Sequence, residues 1–410
     1  MISLSKKEDC SGCSACEQIC PKHCISLLPD NEGFLYPIIN EQICIDCHRC
    51  EKVCPVLNQD STRTPQRVLA AYNIDEVVRA KSSSGGIFSI IAEEVIKQNG
   101  IVFGVKFDEE WNVVFDYTDS IDGLEAFRGS KYVQAFIGDI YPKVQNFLEE
   151  GRLVLFSGTP CQIAGLRKYL NKEFDNLLLI DLICEGVPSP KVWKRYLHEE
   201  IHSLCKKHYH IPEKDIVIKK ISFRNKKDGW RSFAFSIELA YKDENLRLVH
   251  LPEYVNRESS YLQAIFRSLD LRPICYKCPF KCCKSHSDIT IADYWGINTL
   301  HPEMDDNKGI SMIYCHTKKG DLFLPLNQIS YIETNYEEAF AVNNIVTSVN
   351  KHPNRDKFYA KIDSEESIIY LLDHYTFPLK KEIIKSILTM ILPKSSYYKL
   401  QKWVWRQRKR

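Results

Sequence analysis

Eight of the chain's 17 cysteines fall into one motif written twice. Cys10, Cys13, Cys16, Cys20 and Pro21 follow C-x2-C-x2-C-x3-C-P, and Cys44, Cys47, Cys50, Cys54 and Pro55 repeat that spacing. In such a run three close thiolates bind one cubane cluster, and the fourth cysteine reaches across to the other. Cys10, Cys13, Cys16 and Cys54 would hold one 4Fe-4S cluster, and Cys44, Cys47, Cys50 and Cys20 the second, so the halves fold as one unit. Structural zinc prefers two ligand pairs set apart by a longer spacer. A disulfide framework needs an oxidising compartment. Pro21 and Pro55 turn the chain away from each cluster, and Ile19, Ile25, Ile43 and Val53 are placed to wall it from water, which helps set the potential. Cys24 falls outside the scheme and reads as a small buried apolar residue.

A second group of cysteines is scattered. Leu153 to Phe156 and Leu177 to Ile180 are apolar runs separated by a helix that Thr159 caps and Pro160 opens. Strand, helix, strand at this spacing is a βαβ unit with parallel strands. Cys161 and Cys184 then lie on the same sheet edge, where open α/β folds place their sites. Cys275, Cys278, Cys282 and Cys283 crowd into nine residues. They form either a cramped zinc knuckle, or a hook in which Cys275 and Cys278 join Cys161 and Cys184 around a third cluster. Other readings stay open: Cys161 as a nucleophile at a helix N-terminus, and Cys184 as core. Cys205 and Cys315 read as packing, and the 12 histidines show no metal-ligand spacing.

Three short segments have the chemistry to hold a phosphate or a ring. Ser84, Gly85 and Gly86 precede a helix over 87–97, ended by Gly100, so their amides and the helix dipole suit an anion; many such turns only cap helices. Ser130, Lys131 and Tyr132 offer a cation and an aromatic ring, against the plainer reading of a surface lysine beside a core tyrosine. Asp293 and Trp295 close an alternating strand over 288–293 and can wall a ring-binding pocket, or simply end the core.

At 410 residues the chain holds two or three folded units. Its 44% hydrophobic and 26% charged residues are ordinary for a globular protein, and a net charge of +2 gives no reason to expect nucleic acid. No run reaches the roughly 18 apolar residues of a membrane span, and no signal sequence opens the chain. With so many cysteines this points to a reducing cytoplasm. Polar residues 57–67 read as a linker. The pattern predicts a helix from Lys191 to about Leu204 behind Ser189 and Pro190, strands over 216–223 and 232–240 joined by a polar loop over 224–231, a short helix over 262–271, and helix from about Ser330 onward. The basic end, with Lys399, Lys402, Arg406, Arg408, Lys409 and Arg410 around Trp403 and Trp405, reads as a solvated tail with weak membrane-surface contact as the alternative.

Ser-Gly-Gly at 84–86, Ser-Lys-Tyr at 130–132, Gly-Thr-Pro-Cys-Gln at 158–162, Asp-Leu-Ile-Cys at 181–184, Pro-Ser-Pro at 188–190, the Cys275 and Cys278 hook, and Ser-Asp-Ile-Thr-Ile-Ala-Asp-Tyr-Trp-Gly at 287–296 together resemble the beta subunit family of coenzyme F420 hydrogenases and dehydrogenases. The likeness is to its bacterial branch with an N-terminal two-cluster ferredoxin, often found among surface-polysaccharide biosynthesis functions. One departure is Glu185, where many relatives carry histidine. The resemblance implies an α/β fold: a two-cluster ferredoxin-type module over 1–60, a flavin domain with a mixed sheet whose parts span 68–210 and 211–350, and a mostly helical, basic tail over 351–410. It implies FAD, with FMN as the alternative, contacted by Ser84, Gly85, Gly86, Ser130, Lys131, Tyr132, Asp293 and Trp295. It also implies a redox protein such as reduced ferredoxin as donor, a small-molecule substrate, and oxidoreductase activity. A non-catalytic electron-transfer subunit is the alternative.

Overall fold

The apolar runs that alternate poorly in the sequence are buried on both faces, as parallel strands between helix layers must be. In the computed structural model, residues 2, 6–243, 247–342 and 347–377 are described. An eight-stranded sheet is built from β3 (Arg67–Asn73), β4 (Ile101–Phe107), β5 (Val113–Thr118), β6 (Val154–Gly158), β7 (Leu177–Leu182), β12 (Ile289–Asp293), β13 (Ser311–Cys315) and β14 (Ile329–Thr334), in the order β14-β3-β13-β12-β7-β6-β4-β5. The central four, β4, β6, β7 and β12, pair parallel, and the other pairings of the sheet are antiparallel. Ile101, Phe103, Val154, Phe156 and Leu179 face one layer of helices, α5 (Ile140–Glu149) and α6 (Pro160–Leu170). Val102, Leu155, Leu178, Ile180 and Ile289 face the other, α4 (Ile87–Lys97). The carboxyl ends of β6, β7 and β12 share one edge and carry Cys161, Cys184 and Asp293.

Between β7 and β12 the chain forms α7 (Pro190–Leu204) and a smaller antiparallel sheet of β8 (Ile216–Asn225), β9 (Ala234–Lys242), β10 (Leu248–His250) and β11 (Tyr254–Asn256). Ser189 accepts amide bonds from Lys191 and Val192 at the start of α7. Thr159 and Gln162 form a reciprocal capping box on α6. Between β3 and α4, the short α3 (Glu76–Lys81) is capped by the Asp75 carboxylate, which accepts from the amides of Val77 and Val78. The N-terminal module has a hairpin, β1 (Ile25–Pro29) with β2 (Leu35–Ile39), and two short helices, α1 (Ala15–Gln18) and α2 (Arg49–Lys52), each entered through a left-handed residue, Ser14 or His48.

Several local expectations differ. The left-handed residue after α4 is Asn99, φ +58°, rather than Gly100; a Cβ on Gly100 would meet Val95 Cγ1 at 2.5 Å, so glycine is needed there for close approach. Arg224 and Asn225 belong to β8 and not to a loop, because the ladder to β9 runs through to Asn225. The helix expected over 262–271 spans Ser260–Phe266, capped by Ser259. Residues 329–334 are strand, paired with β3, before helix resumes at Tyr336. The polar stretch 57–67 is pinned, since Asp60 pairs with Arg167 and Lys168 of α6. Helices Arg355–Tyr359 and Ile368–Thr376 occur after residue 350; the basic end over 378–410 lies outside the described residues. Among the described residues no helix is long and apolar enough to cross a membrane.

Candidate functional site

The cysteines of the doubled motif gather in two groups. Burial first, then the charges of Cys54 and Cys10, raise the Cys13 thiol to about 12. Cys16 is also raised by burial first, then by Cys13, Cys10 and Cys54. These four cysteines therefore lie near one another. Cys20, Cys44, Cys47 and Cys50 line a second cavity with Pro21, Ile25 and Ile39. Cys47 is exposed there, while Cys13 and Cys16 are buried. Ile25 and Val53 are buried walls, but Ile43 is 48% exposed and shields nothing.

Cys24 is buried in a small apolar cluster, as the packing reading expects, and it has a further contact. It lines the second cavity, with its sulfur 3.3 Å from that of Cys20. Its thiol is raised to about 12, first by the bond to Cys20, then by burial and by Cys44. A fifth cysteine within fifteen residues, beyond the four a motif needs, is the signal in the sequence that the packing reading passes over.

The scattered cysteines converge. Cys161 is raised by burial, then by the charge of Cys278, while Thr159 Oγ1, 3.2 Å away, offsets part of this; Cys184 and Cys13 add to the rise. Cys184, held up to about 12 by burial, feels Cys275 and Cys278. Cys275, likewise pushed to about 12 by burial, feels Cys278 and Cys161. Helix α6 also touches the module: a Cβ on Gly165 would lie 2.9 Å from Cys13 Cβ and 3.1 Å from its sulfur.

Cys282 and Cys283, both with φ of +57°, line a cavity that Cys184 shares, with Asp181, Lys281, Thr290, Tyr314 and Tyr336. Among the described residues no three His, Cys, Asp or Glu side chains stand close enough to hold a single metal ion. Thiolates around a cubane surround a larger body than those of a one-ion tetrahedron.

A second site adjoins these cysteines. Arg224, at the end of β8, donates to both carboxylate oxygens of Asp293 at 2.8 and 3.3 Å, to the Tyr132 hydroxyl at 3.2 Å and to Ser83 O at 3.4 Å. Trp230 Nε1 donates to Asp293 at 2.9 Å, and its ring stacks on Trp295 at 4.6 Å with 1° between planes. The guanidinium lies over Phe233 at 3.9 Å and Trp295 at 5.5 Å. Among the described residues Arg224 Nε is a buried donor without an acceptor. Glu185, beside Cys184, is raised by burial, lowered by Lys281 and Arg224, and raised by Asp293. It therefore stands between the two sites.

The anion-suited turn is partly committed. Ser84 Oγ donates to Ile310 O, and Gly85 N–H donates to Ser311 Oγ. Gly86, φ +84°, leads into α4. Ser130 donates its amide and hydroxyl to Ser83 Oγ at 2.7 and 3.0 Å. Lys131 Nζ lies 3.2 Å from Gly129 O and is pulled down to about 7 by desolvation. Lys226, lowered to about 8 by burial and then by Arg79 and Arg224, bridges Ser84 O and Arg79 O. The sequence pattern hides Arg224 and Lys226, because both fall in what reads as a polar loop.

No curated protein matches the chain. A solved structure, the xenon derivatization of the F420-reducing NiFe hydrogenase complex from Methanosarcina barkeri, aligns at a TM-score of 0.41 and 14% identity, over 79% of this chain and 93% of that one. Residues 9–58 match the 4Fe-4S dicluster domain, and residues 151–339 match the family described as the C terminus of the coenzyme F420 hydrogenase/dehydrogenase beta subunit. The chain thus joins a region that matches the 4Fe-4S dicluster domain to a region that matches the C terminus of the coenzyme F420 hydrogenase/dehydrogenase beta subunit.

Proposed function

We propose that the protein is an iron-sulfur flavoprotein oxidoreductase, in which Cys10, Cys13, Cys16 and Cys54 hold a first 4Fe-4S cluster, Cys44, Cys47, Cys50 and Cys20 a second, and Cys161, Cys184, Cys275 and Cys278 a third. The order follows from burial and contact. The second cavity opens at exposed Cys47, where a reduced ferredoxin in the cytoplasm would deliver electrons. In the first set Cys13 and Cys16 are buried, Cys13 lies against α6, and its charge reaches Cys161 across that contact.

Beyond the third set the Arg224 and Asp293 site would hold FAD or FMN. The orphaned Arg224 Nε suits an acceptor on the ring, Trp295 supplies a stacking face, and the start of α4 behind Gly86 suits phosphate. A bound flavin would exchange single electrons with the clusters and pass a pair to a substrate. The protein's part is to orient and to keep water out, with Arg224 held by Asp293 and Glu185 between the two sites. Residues 1–60 form the electron-entry module and 68–350 the flavin domain in this reading. The family context favours a nucleotide-sugar or carbonyl acceptor in surface-polysaccharide chemistry.

The observation that carries the reading is the convergence of four cysteines from three distant segments beside Cys13. Anaerobic purification with iron, sulfide and flavin quantified tests it. About twelve irons and one flavin are expected, and Cys161→Ser should remove about four irons. Full iron without flavin would instead make the chain a relay that serves a partner enzyme.

A further inference from the structure

Arg272 is one of the largest fully buried side chains, with 0% exposure, and its partners are unusual for a buried cation. Its Nε donates to Cys10 O at 2.8 Å and one Nη2 bond goes to Leu35 O at 2.8 Å. Nη1 donates to Gln134 Oε1 at 3.0 Å, and Nη2 approaches Cys10 Sγ at 3.5 Å. Tyr36 lies against the guanidinium at 4.3 Å, and Phe34 is at 5.6 Å. A Cβ on Gly12, φ +70°, would lie 2.9 Å from Nη1, so only glycine leaves room for the guanidinium. Among the described residues no carboxylate pairs with it. The acids of the adjoining hairpin turn are engaged elsewhere: Glu32 with Arg355, and Asp30 with Lys7.

A buried charge faced only by carbonyls, an amide and rings is costly unless an anion neutralises it. The one group bonded to it that can carry negative charge is the Cys10 thiolate. We propose that Arg272 is the fixed counter-charge of the first cluster and raises its reduction potential. The inference rests on the cluster reading above. A cluster held by four thiolates is anionic and gains further negative charge on reduction, so a guanidinium bonded to a ligand sulfur favours the reduced form. The same charge stands beside the third set, because Arg272 precedes Cys275 by one helical turn and its carbonyl oxygen accepts the Cys275 amide at 2.9 Å. One cation thus sits between two clusters and makes the inner relay receptive to electrons from the exposed second cluster.

The test is an EPR-monitored redox titration of the full, iron-loaded chain as wild type, Arg272→Lys and Arg272→Gln, with iron counted in each. Lysine keeps the charge and loses the fork; glutamine keeps an amide donor and loses the charge. The first cluster's reduction equilibrium in Arg272→Gln should fall at least tenfold, about 59 mV for one electron, with Arg272→Lys close to wild type and the second cluster unmoved. Loss of the first cluster in the glutamine variant alone would also support the counter-charge role. An unchanged potential in Arg272→Gln, equal shifts in both variants, or loss of the cluster from both would reduce Arg272 to a structural tie and overturn the proposal. A wild-type protein lacking iron at Cys10 would instead end the cluster reading before any variant was compared.

Discussion

Replacing Gly165 by alanine tests whether α6 sets the distance between the first and third cysteine groups. The added methyl carbon would stand 2.9 Å from Cys13 Cβ, 2.9 Å from the Tyr141 hydroxyl and 3.1 Å from Cys13 Sγ. Carbon pairs settle at about 3.5–4.0 Å, so the helix or its neighbours must give by roughly half an ångström or more. Neither neighbour is free to turn. Cys13 is buried and fixed by its cluster in our reading, and Tyr141, 0% exposed, donates to Gln162 O at 3.0 Å. Overpacking of this kind costs about 1–3 kcal/mol, while glycine to alanine inside a helix gains up to about 1 kcal/mol. The net expectation runs from neutral to about 2 kcal/mol of destabilisation. Gly165→Val, with more bulk and a poorer helix propensity, should lose more. Urea unfolding of the iron-loaded protein measures the stability, and magnetic interaction between the reduced clusters reports their spacing. The interaction should weaken in both variants. A Gly165→Ala protein that is more stable by about 1 kcal/mol, as an unobstructed helix site would be, with unchanged cluster coupling, would refute the claim that this glycine brings the groups together.

Cys24→Ala should keep its iron and lower the second cluster's potential, because with Cys20 and Cys44 bound as thiolates the only S–H left among these three sulfurs is that of Cys24; Cys24→Ser should retain most of the effect, and loss of about four irons would show Cys24 to be a ligand instead. The repeat supplies an internal contrast: Asn58 stands four residues after Cys54, as Cys24 does after Cys20, and its amide goes to backbone oxygens of Glu51 and Cys54. Asp293→Ala leaves Arg224, 5% exposed, without its carboxylate and should cost about 3–5 kcal/mol in urea unfolding, together with any bound flavin; a loss under about 1 kcal/mol would mean that the pair is not what organises the site. Asp270, pushed up to about 8 by burial against bonds from Tyr359 and Ser189, keeps its proton in the folded chain after the unfolded chain has lost it near 3.8. Its contribution to stability therefore falls as pH rises from about 4 to about 8. The stability difference between Asp270→Asn and wild type should shift toward the variant across that window, and a pH-independent difference would contradict the assignment.

The parts of this architecture that are legible in the sequence are those encoded by spacing. The doubled cysteine run, the strand-helix-strand unit with Thr159 and Pro160 at its turn, and the placement of Cys161 and Cys184 on one sheet edge all follow from local pattern. What sequence cannot supply is partner choice across long separations. Arg224 reads as the first residue of a polar loop because its meaning depends on Asp293, 69 residues away. Arg272 is joined to Cys10 across 262 residues. An arginine within Leu271, Pro273 and Ile274 is a usable hint, since a charge inside an apolar run is rarely left unpaired. Gly165 gives no hint, because a glycine inside a helix announces a close approach without saying to what. The strand over 329–334 escapes for another reason: its exposed alternate residues, Tyr331 and Glu333, make an edge strand polar on one face, and short polar strands resemble loop or helix in pattern.

The polar bonds between the module and the rest explain why the module cannot behave as a tethered ferredoxin. Arg355 pairs with Glu32 through both carboxylate oxygens, at 3.1 and 2.6 Å and nearly out of water. Ser189, which caps α7, also donates to Glu32 O, and Tyr141 N donates to Gln18 Oε1. A swinging module would have to expose or orphan each of these groups, and a single buried charge left unpaired costs about 3–5 kcal/mol, comparable with the whole stability of many domains. The proposed relay through Cys13 and Cys161 would therefore need no docking motion: the spacing of these two cysteines is set once, when the chain folds, by a glycine on α6 and by charges that cannot be separated cheaply.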